Sequence, residues 1–239
     1  MHLVLASEPE DPAFAPEPFT PHYVRGLFQS MRNQSTHNFR LLRKQLRAVP
    51  EDLLPLAQRI LELEPAIVGC FRKLYEQPVT ARRIRCHGDF HLGQMLYTGK
   101  DFVIIDFEGE PAMPLSERRI KRSPLRDVAG MVRSFHYAAW AGLYAHIQRG
   151  SLEHESLPKY EPWMRLWYQS VASVYLRAYL KVMGPSEVLP QSPDELLAIL
   201  PAYLLNKAVY EIGYELNNRP AWLHIPLLGV RQLLEPDGK

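Results

Sequence analysis

The segment CHGDFHLGQMLYTGKDFVIIDFEGEP, residues 86–111, combines ionisable residues with short apolar runs. It contains two histidines, three aspartates and two glutamates. Charged groups beside buried segments cost free energy unless they are paired, bind a metal or take part in chemistry. The segment therefore predicts a functional site.

Its pattern H-G-D-x-H-x-G-Q places Asp89 ahead of Gln94, and Asp106 follows at the end of the next apolar run. The catalytic loop of protein kinases has the same skeleton, in which an aspartate, an amide residue and a second aspartate recur in this order. Phosphoryl transfer needs a base at the acceptor hydroxyl and metal ions over the phosphate oxygens, all held by rigid elements. The combination predicts a kinase-type site.

A metal hydrolase is a second interpretation of the same segment. His87, Asp89 and His91 alternate as metal ligands on a strand would. Such a site needs a further histidine from another element, and His136 and His146 are available. Both lie in an apolar helical segment, which is more typical of ordinary core or surface histidines.

A second group of candidate residues lies in NKAVYEIGYELNNRPAWLHIP, residues 206–226. At about 100° per residue, four of its side chains share one helix face: Lys207, Tyr210, Glu211 and Tyr214. Aromatic faces and hydrogen-bonding side chains of this kind bind sugars. The alternative is that the tyrosines belong to the core and that the lysine and glutamate form an ion pair along the helix. Glu215 and Trp222 are weaker candidates for sugar contacts.

The elements that must position these residues are mainly helices. Apolar spacing predicts helices over residues 23–47, 51–76, 124–148, 160–183, 193–217 and 226–234. Short strands are expected at 82–85 and 102–105, and Thr98-Gly99-Lys100-Asp101 indicates a hairpin turn. Residues 7–21 are rich in proline and acidic residues and predict a linker. The fold class is mostly α with a small β-hairpin region.

The composition excludes several classes of protein. The 239 residues are 46% hydrophobic, which is enough for a large core, and the formal net charge of +2 is too balanced to indicate nucleic acid or a membrane as the main partner. Cys70 and Cys86 form no disulfide or zinc framework. With no long apolar run and no signal-peptide pattern recognised, we expect a cytoplasmic protein.

The stretch RIRCHGDFHLGQMLYTGKDFVIIDFEGEPAMPLSERRIKRSPLRDVAGMVRSFHYAA resembles the bacterial maltokinases, which belong to the aminoglycoside-phosphotransferase-like kinase group. The form fused to trehalose synthase is especially similar. The resemblance implies a kinase-like fold that uses ATP and Mg²⁺. It also implies transfer of the γ-phosphate to the anomeric hydroxyl of maltose, giving maltose 1-phosphate for α-glucan and trehalose metabolism.

The resemblance also implies roles for single residues. Asp89 would be the catalytic base, and Gln94 and Asp106 would hold Mg²⁺, although the wider kinase group has asparagine in place of Gln94. Asp127 would brace the catalytic loop, unless it only favours the dipole of its helix. The expected substrate-binding residues are His87, Lys207, Tyr210, Glu211 and Tyr214.

The part of a kinase that covers the nucleotide phosphates is not recognisable ahead of His87, since no glycine-rich loop or strand lysine is found there. We therefore expect residues 1–21 to be a linker or the end of a missing N-terminal lobe. Residues 22–239 would be the C-terminal lobe, with the catalytic loop and metal site at 84–111 and the acceptor-sugar helix at 202–218. Such a fragment would be weak or inactive alone.

The expected partners are maltose or a related α-glucoside, the missing N-terminal lobe, and a fused or associated trehalose synthase. Nucleic acid and membrane are not expected. The alternative to a kinase lobe is a non-catalytic module that binds an α-glucan or supports trehalose synthase.

Overall fold

The computed structural model describes residues 1–76, 78–111 and 113–235, which form a mostly helical protein with two small antiparallel sheets. The helices are α1 (His2–Leu5), α2 (Pro21–Gln45), α3 (Leu54–Glu62), α4 (Glu64–Glu76), α5 (Leu115–Arg118), α6 (Leu125–Gln148), α7 (Leu157–Met183), α8 (Pro193–Asn218) and α9 (His224–Leu234). The strands are β1 (Glu17–Pro18), β2 (Arg82–Arg83), β3 (Met95–Tyr97) and β4 (Phe102–Ile104). The predicted fold class is confirmed.

Helix α8 is the centre of the packing, because it contacts α2, α4, α6 and α9. Ile199, Leu205 and Ile212 of this helix are almost completely buried. By length and composition α8 could cross a membrane, but 56% of its apolar window is buried inside the protein. That burial is typical of the core helix of a soluble protein.

The predicted helix over residues 51–76 is wrong as a single element, because the structure divides it into α3 and α4 at Leu63. Pro65 is the reason for the break. It has no N–H to continue the hydrogen bonds of α3, and in a continuous helix its ring would clash with the carbonyl of the residue four positions earlier. At the second position of α4 the missing N–H costs nothing, because no carbonyl of that helix is available to receive it.

The β-hairpin and a short strand pair frame the candidate catalytic loop. In the hairpin, β3 pairs with β4 so that Leu96 lies opposite Val103. The predicted strand 82–85 is shorter than expected, since only Arg82–Arg83 pair with β1, while Ile84 bridges to Arg122. The loop from Cys86 to Gln94 is thus fixed at both ends.

Candidate active site

Asp89 lies between two basic side chains at the edge of a cavity. Its Oδ1 is 3.6 Å from Lys207 Nζ, and its Oδ2 is 3.5 Å from His91 Nε2. Burial alone would raise the pKa of Asp89, but the hydrogen bond from His91 and the charge of Lys207 lower it to about 2. The carboxylate is therefore ionised over the whole physiological pH range, and both of its oxygens can accept hydrogen bonds.

The orientation of His91 is set by its neighbour Gly93. The Gly93 N–H donates to His91 Nδ1 at 3.0 Å, which leaves the ring proton on Nε2, the nitrogen that faces Asp89. A Cβ at position 93 would lie 2.8 Å from the imidazole Cε1. A side chain at position 93 would therefore displace the His91 ring from this orientation.

Two groups under the loop fix its backbone. The buried carboxylate of Asp127 accepts the N–H of His87 at 2.7 Å and the N–H of Gly88 at 3.0 Å. The buried His87 ring donates from Nε2 to the carbonyl of Ile105 at 2.8 Å, which ties the loop to the end of β4. His87 therefore points away from the cavity, and the structure gives it a bracing contact and no surface for a substrate.

Gln94 and Asp106 lie side by side, as a shared metal site requires. Asp106 has φ of 64°, and this left-handed turn after β4 brings its carboxylate to 2.8 Å from Gln94 Nε2. Both side chains offer oxygen atoms, which suit Mg²⁺. The described residues contain no group of three or more His, Cys, Asp or Glu that could hold a metal ion. The pair fits a magnesium ion that takes its other ligands from water and phosphate.

The cavity beside Asp89 has a volume of about 300 Å³ and is lined by α2, α6 and α8 and, after the hairpin, by Gly109, Glu110, Met113, Glu117 and Arg118. The Glu110 carboxylate lies close enough to Asp89 and Tyr210 to affect the pKa of both groups. Burial, followed by the nearby carboxylates, raises the pKa of Tyr210 to about 12, so its hydroxyl keeps its proton and can donate. The cavity thus combines carboxylates, a phenol and the Lys207 ammonium, a mixture that suits a polyhydroxylated molecule.

Comparison with known proteins identifies the family. The model of the phosphotransferase enzyme family matches residues 11–167. The chain belongs to this family. A glucosamine kinase of Mycolicibacterium smegmatis is 31% identical over 172 residues, which cover 71% of this chain and 38% of that protein. A glucosamine kinase of Streptacidiphilus jiangxiensis is 26% identical over 152 residues, covering 63% of this chain and 32% of that protein.

Solved structures share the fold of this chain. A glucosamine kinase in complex with glucosamine, ADP and inorganic phosphate superposes with a TM-score of 0.74 at 23% identity, covering 98% of this chain and 52% of that one. A second crystal form of a glucosamine kinase gives the same TM-score of 0.74 and is covered to 50%. The chain therefore spans about a third to a half of the length of the relatives it matches.

The four expected sugar-binding residues of α8 occupy three kinds of position. Lys207 and Tyr210 line the cavity. Tyr214 is 44% exposed one turn further along, with the Arg219 guanidinium 5.3 Å from its ring. Glu211 turns into the core and pairs with Arg133, so the ion pair along α8 considered as an alternative does not form.

The weaker candidates lie at the end of the same helix. Glu215 is buried, accepts the Tyr137 hydroxyl at 2.9 Å and pairs with Arg219. The Arg219 guanidinium lies 4.9 Å from the Trp222 ring. Together with Tyr214 these residues form an aromatic and charged cluster outside the residues that line the cavity.

Some residues of the site were not predicted from the sequence. Glu110 lies within the segment 86–111, and its position directly after Gly109 could have indicated a site residue. Arg126 and Asn206 line the cavity, and both are neighbours in sequence of residues already selected. His2 carried no signal, because its contact with Asp127 joins distant parts of the chain.

The metal-hydrolase interpretation requires histidines from several elements to lie together, and the candidate histidines lie apart. The His87 ring bonds to a backbone carbonyl, and His136 lies in the core beside Arg133. His146 contacts Ser151 at the far end of α6. In the described part of the chain these histidines do not join a metal-binding group.

Gly130 is the position on α6 at which the backbone of the catalytic loop packs against this helix. A Cβ at this position would lie 2.6 Å from the backbone carbonyl oxygen of Phe90. We expect Gly130→Ala to reduce the unfolding free energy by about 1 to 3 kcal/mol, because backbone atoms cannot move aside as a flexible side chain can. Chemical denaturation measures the change.

Gly142 is the matched control for this substitution, since it lies in the same helix and a Cβ there would meet open space among the described residues, with no neighbouring atom within 4 Å. Gly142→Ala should stabilise the protein by up to about 1 kcal/mol through helix propensity. Equal effects of the two substitutions would contradict the close approach of the loop to Gly130.

Proposed function

We propose that this chain is the catalytic half of an ATP-dependent sugar kinase, with maltose or a related α-glucoside as the acceptor. The observation that carries the proposal is the position of Asp89, ionised and held between His91 and Lys207 at the edge of a polar cavity. The family supports phosphate transfer as the reaction. The relatives named above are glucosamine kinases, which supports a sugar as the acceptor.

In the proposed mechanism the acceptor hydroxyl approaches Asp89 from the cavity. The carboxylate accepts the hydroxyl proton as the acceptor oxygen bonds to the γ-phosphorus of ATP and the bond from that phosphorus to the bridging oxygen breaks, with ADP as the leaving group. Asp89 is then the general base. Lys207 and His91 hold the carboxylate in place from opposite oxygens. Orientation of this kind is a main source of rate enhancement in phosphoryl transfer, where the protein does little covalent chemistry.

The metal in this proposal is Mg²⁺, held by Gln94 and Asp106. Bound there with ATP, it would neutralise charge on the phosphate oxygens. The side-by-side placement of the two oxygen-bearing side chains supports this assignment. In this structure the Gln94 amide nitrogen donates to Asp106, so the amide would turn over for its carbonyl oxygen to hold the ion.

The other half of the kinase would cover the β-hairpin. Large apolar side chains on the hairpin and after it are exposed: Leu96, Tyr97, Phe102, Val103 and Phe107. Exposed apolar surface of this kind marks contact sites. The relatives are two to three times longer than the region they share with this chain, so they have further chain that could cover it. We propose that a nucleotide-binding lobe occupies this face.

The experiment that tests the function is a phosphate-transfer assay of the kinase that contains this chain. It is given ATP and Mg²⁺ with maltose, glucose or glucosamine, and products are followed by ³¹P NMR. We expect a sugar phosphate, with maltose 1-phosphate as the main product. Preference for glucosamine would keep the sugar-kinase proposal and overturn the maltose assignment, and Glu110 would then be the candidate partner of the amine. Maltose binding without phosphate transfer would favour a non-catalytic glucan-binding module.

Tyr214 tests whether the acceptor extends along α8. An α-glucoside that reaches beyond Tyr210 would stack on the exposed Tyr214 ring, so Tyr214→Ala should raise the maltose KM about three- to tenfold with little change in kcat. Steady-state kinetics measures both. Trp163→Ala, which removes an exposed aromatic residue of α7, is the control. An unchanged KM in the Tyr214 variant would remove this residue from the acceptor site.

A further inference from the structure

Asp127 joins the catalytic loop to the N-terminal helix as well as to its own helix. The carboxylate accepts two loop amides, and its Oδ2 also lies 3.1 Å from Nε2 of His2. His2 is the first residue of α1 and only 3% exposed. Three donors thus converge on one buried carboxylate, and two of them belong to the backbone that carries Asp89.

The His2 ring is held from its other side by Tyr179 of α7. Its Nδ1 lies 2.9 Å from the Tyr179 hydroxyl, and the two rings meet edge to face with centroids 5.7 Å apart. Burial raises the pKa of Tyr179, so the phenol keeps its proton and donates it to Nδ1. The remaining imidazole proton is then on Nε2, facing Asp127.

This proton influences how the Asp127 carboxylate binds the backbone amides of the loop. Burial would raise the pKa of Asp127, whereas the hydrogen bonds from His2 and from the loop amides together lower it. A buried carboxylate that loses one of its donors either takes up a proton or moves toward another donor. Either change weakens the bonds to the amides of His87 and Gly88.

A second anchor keeps the N-terminal segment in place independently of His2. The buried Lys121 donates to the carbonyls of Pro12 and Ala15, each at 2.7 Å, and pairs with Glu17. A change confined to the His2 side chain therefore leaves the segment attached to the protein. Effects of His2 on the loop can then be separated from loss of the whole segment.

We propose that His2 is a positioning residue of the catalytic loop, acting through Asp127. Its Nε2 proton holds the Asp127 carboxylate in the orientation in which it receives the amides of His87 and Gly88. The position of Asp89 thereby depends on the docking of α1. The link to catalysis rests on the proposed phosphotransferase function, whereas the link to loop order does not.

The test compares His2→Gln with His2→Asn. The glutamine amide nitrogen stands where Nε2 was and can donate to Asp127, whereas the asparagine nitrogen stands where Nδ1 was and meets Tyr179. Backbone hydrogen exchange of His87 and Gly88, measured by NMR on this chain, is the first readout. We expect exchange about ten- to hundredfold faster in His2→Asn and His2→Ala, and near the parental rate in His2→Gln.

Tyr179→Phe is the control within the same cluster, because it removes the hydroxyl at Nδ1 and keeps the imidazole beside Asp127. Its loop amides should exchange within about twofold of the parental rate, since the carboxylate itself favours a proton on Nε2. Equal exchange in the asparagine and glutamine variants would overturn the proposal. So would faster exchange spread equally over the amides of α8, which would show that His2 serves general stability alone.

Activity provides the second readout. In the phosphate-transfer assay His2→Asn should lower kcat about ten- to hundredfold with the sugar KM within about twofold, and His2→Gln should recover most of the loss. Altered loop exchange with no detectable transfer in the parental protein would contradict the proposed function and keep the positioning role. Normal kcat in His2→Asn, despite faster loop exchange, would overturn the link to catalysis.

Discussion

Asp89→Asn should lower kcat for phosphate transfer by about a hundred- to ten-thousandfold, which is the usual contribution of a general base. Asparagine has nearly the same shape, so the hydrogen bond from His91 can persist while the group that accepts the proton is lost. The KM values for sugar and ATP should therefore change little. Steady-state kinetics of the kinase that contains this chain measures the effect.

Glu117→Gln is the matched control, because it also removes one negative charge from the lining of the cavity. Glu117 pairs with Arg122 at 2.8 Å and is about half exposed, so its loss should have a small effect on kcat. A comparable decrease in both variants would assign the effect to the charge of the cavity. Near-parental turnover of Asp89→Asn would show that another group removes the proton.

The proximity of the candidate catalytic residues could be predicted from the sequence because their spacing is local. Asp89, Gln94 and Asp106 lie within one hairpin unit, whose turn and strands fix their relative positions. The family resemblance added the contact between Asp127 and the loop backbone. Asp127 is distant in sequence, but it lies in the first turn of α6, the helix against which the loop packs. Local spacing and a recognisable motif were sufficient there.

The partners of α8 could not be predicted in the same way. A helix projection places Lys207 and Glu211 on one face, yet the structure turns the first toward Asp89 and the second toward Arg133. The choice depends on which helices pack on either side of α8, and that is a property of the tertiary fold. The His2 contact with Asp127 is of the same kind, since nothing near either residue indicates it.

The buried ion pair between Arg133 of α6 and Glu211 of α8 holds the two helices that support the site. Both Nε and Nη2 of the arginine donate to Glu211 Oε2, at 2.9 and 2.7 Å, and its side chain is 1% exposed. His136 Nδ1 lies 3.2 Å from Nη1 of the same guanidinium. The guanidinium also rests on Gly229 of α9, where a Cβ would come within 2.2 Å of Nη1.

Arg133→Met should therefore reduce the unfolding free energy by about 3 to 5 kcal/mol, because it leaves the Glu211 carboxylate buried without its charged partner. Chemical denaturation monitored by circular dichroism measures the loss. Arg82→Met provides a control at an exposed ion pair, since Arg82 and Glu187 are 42% and 78% exposed. That change should cost no more than about 1 kcal/mol.

The double variant Arg133→Met with Glu211→Met separates the value of the pair from the penalty of breaking it. Removing both charges leaves no unpaired buried ion, so the double variant should be more stable than Arg133→Met alone. Losses that simply add would show that the two side chains act independently.

Because α6 carries Asp127 and Gly130 while α8 carries Lys207, a shift between these helices would also separate the two sides of the Asp89 site. The double variant could recover stability and still lack activity. That result would show that the ion pair sets the relative position of α6 and α8 around Asp89.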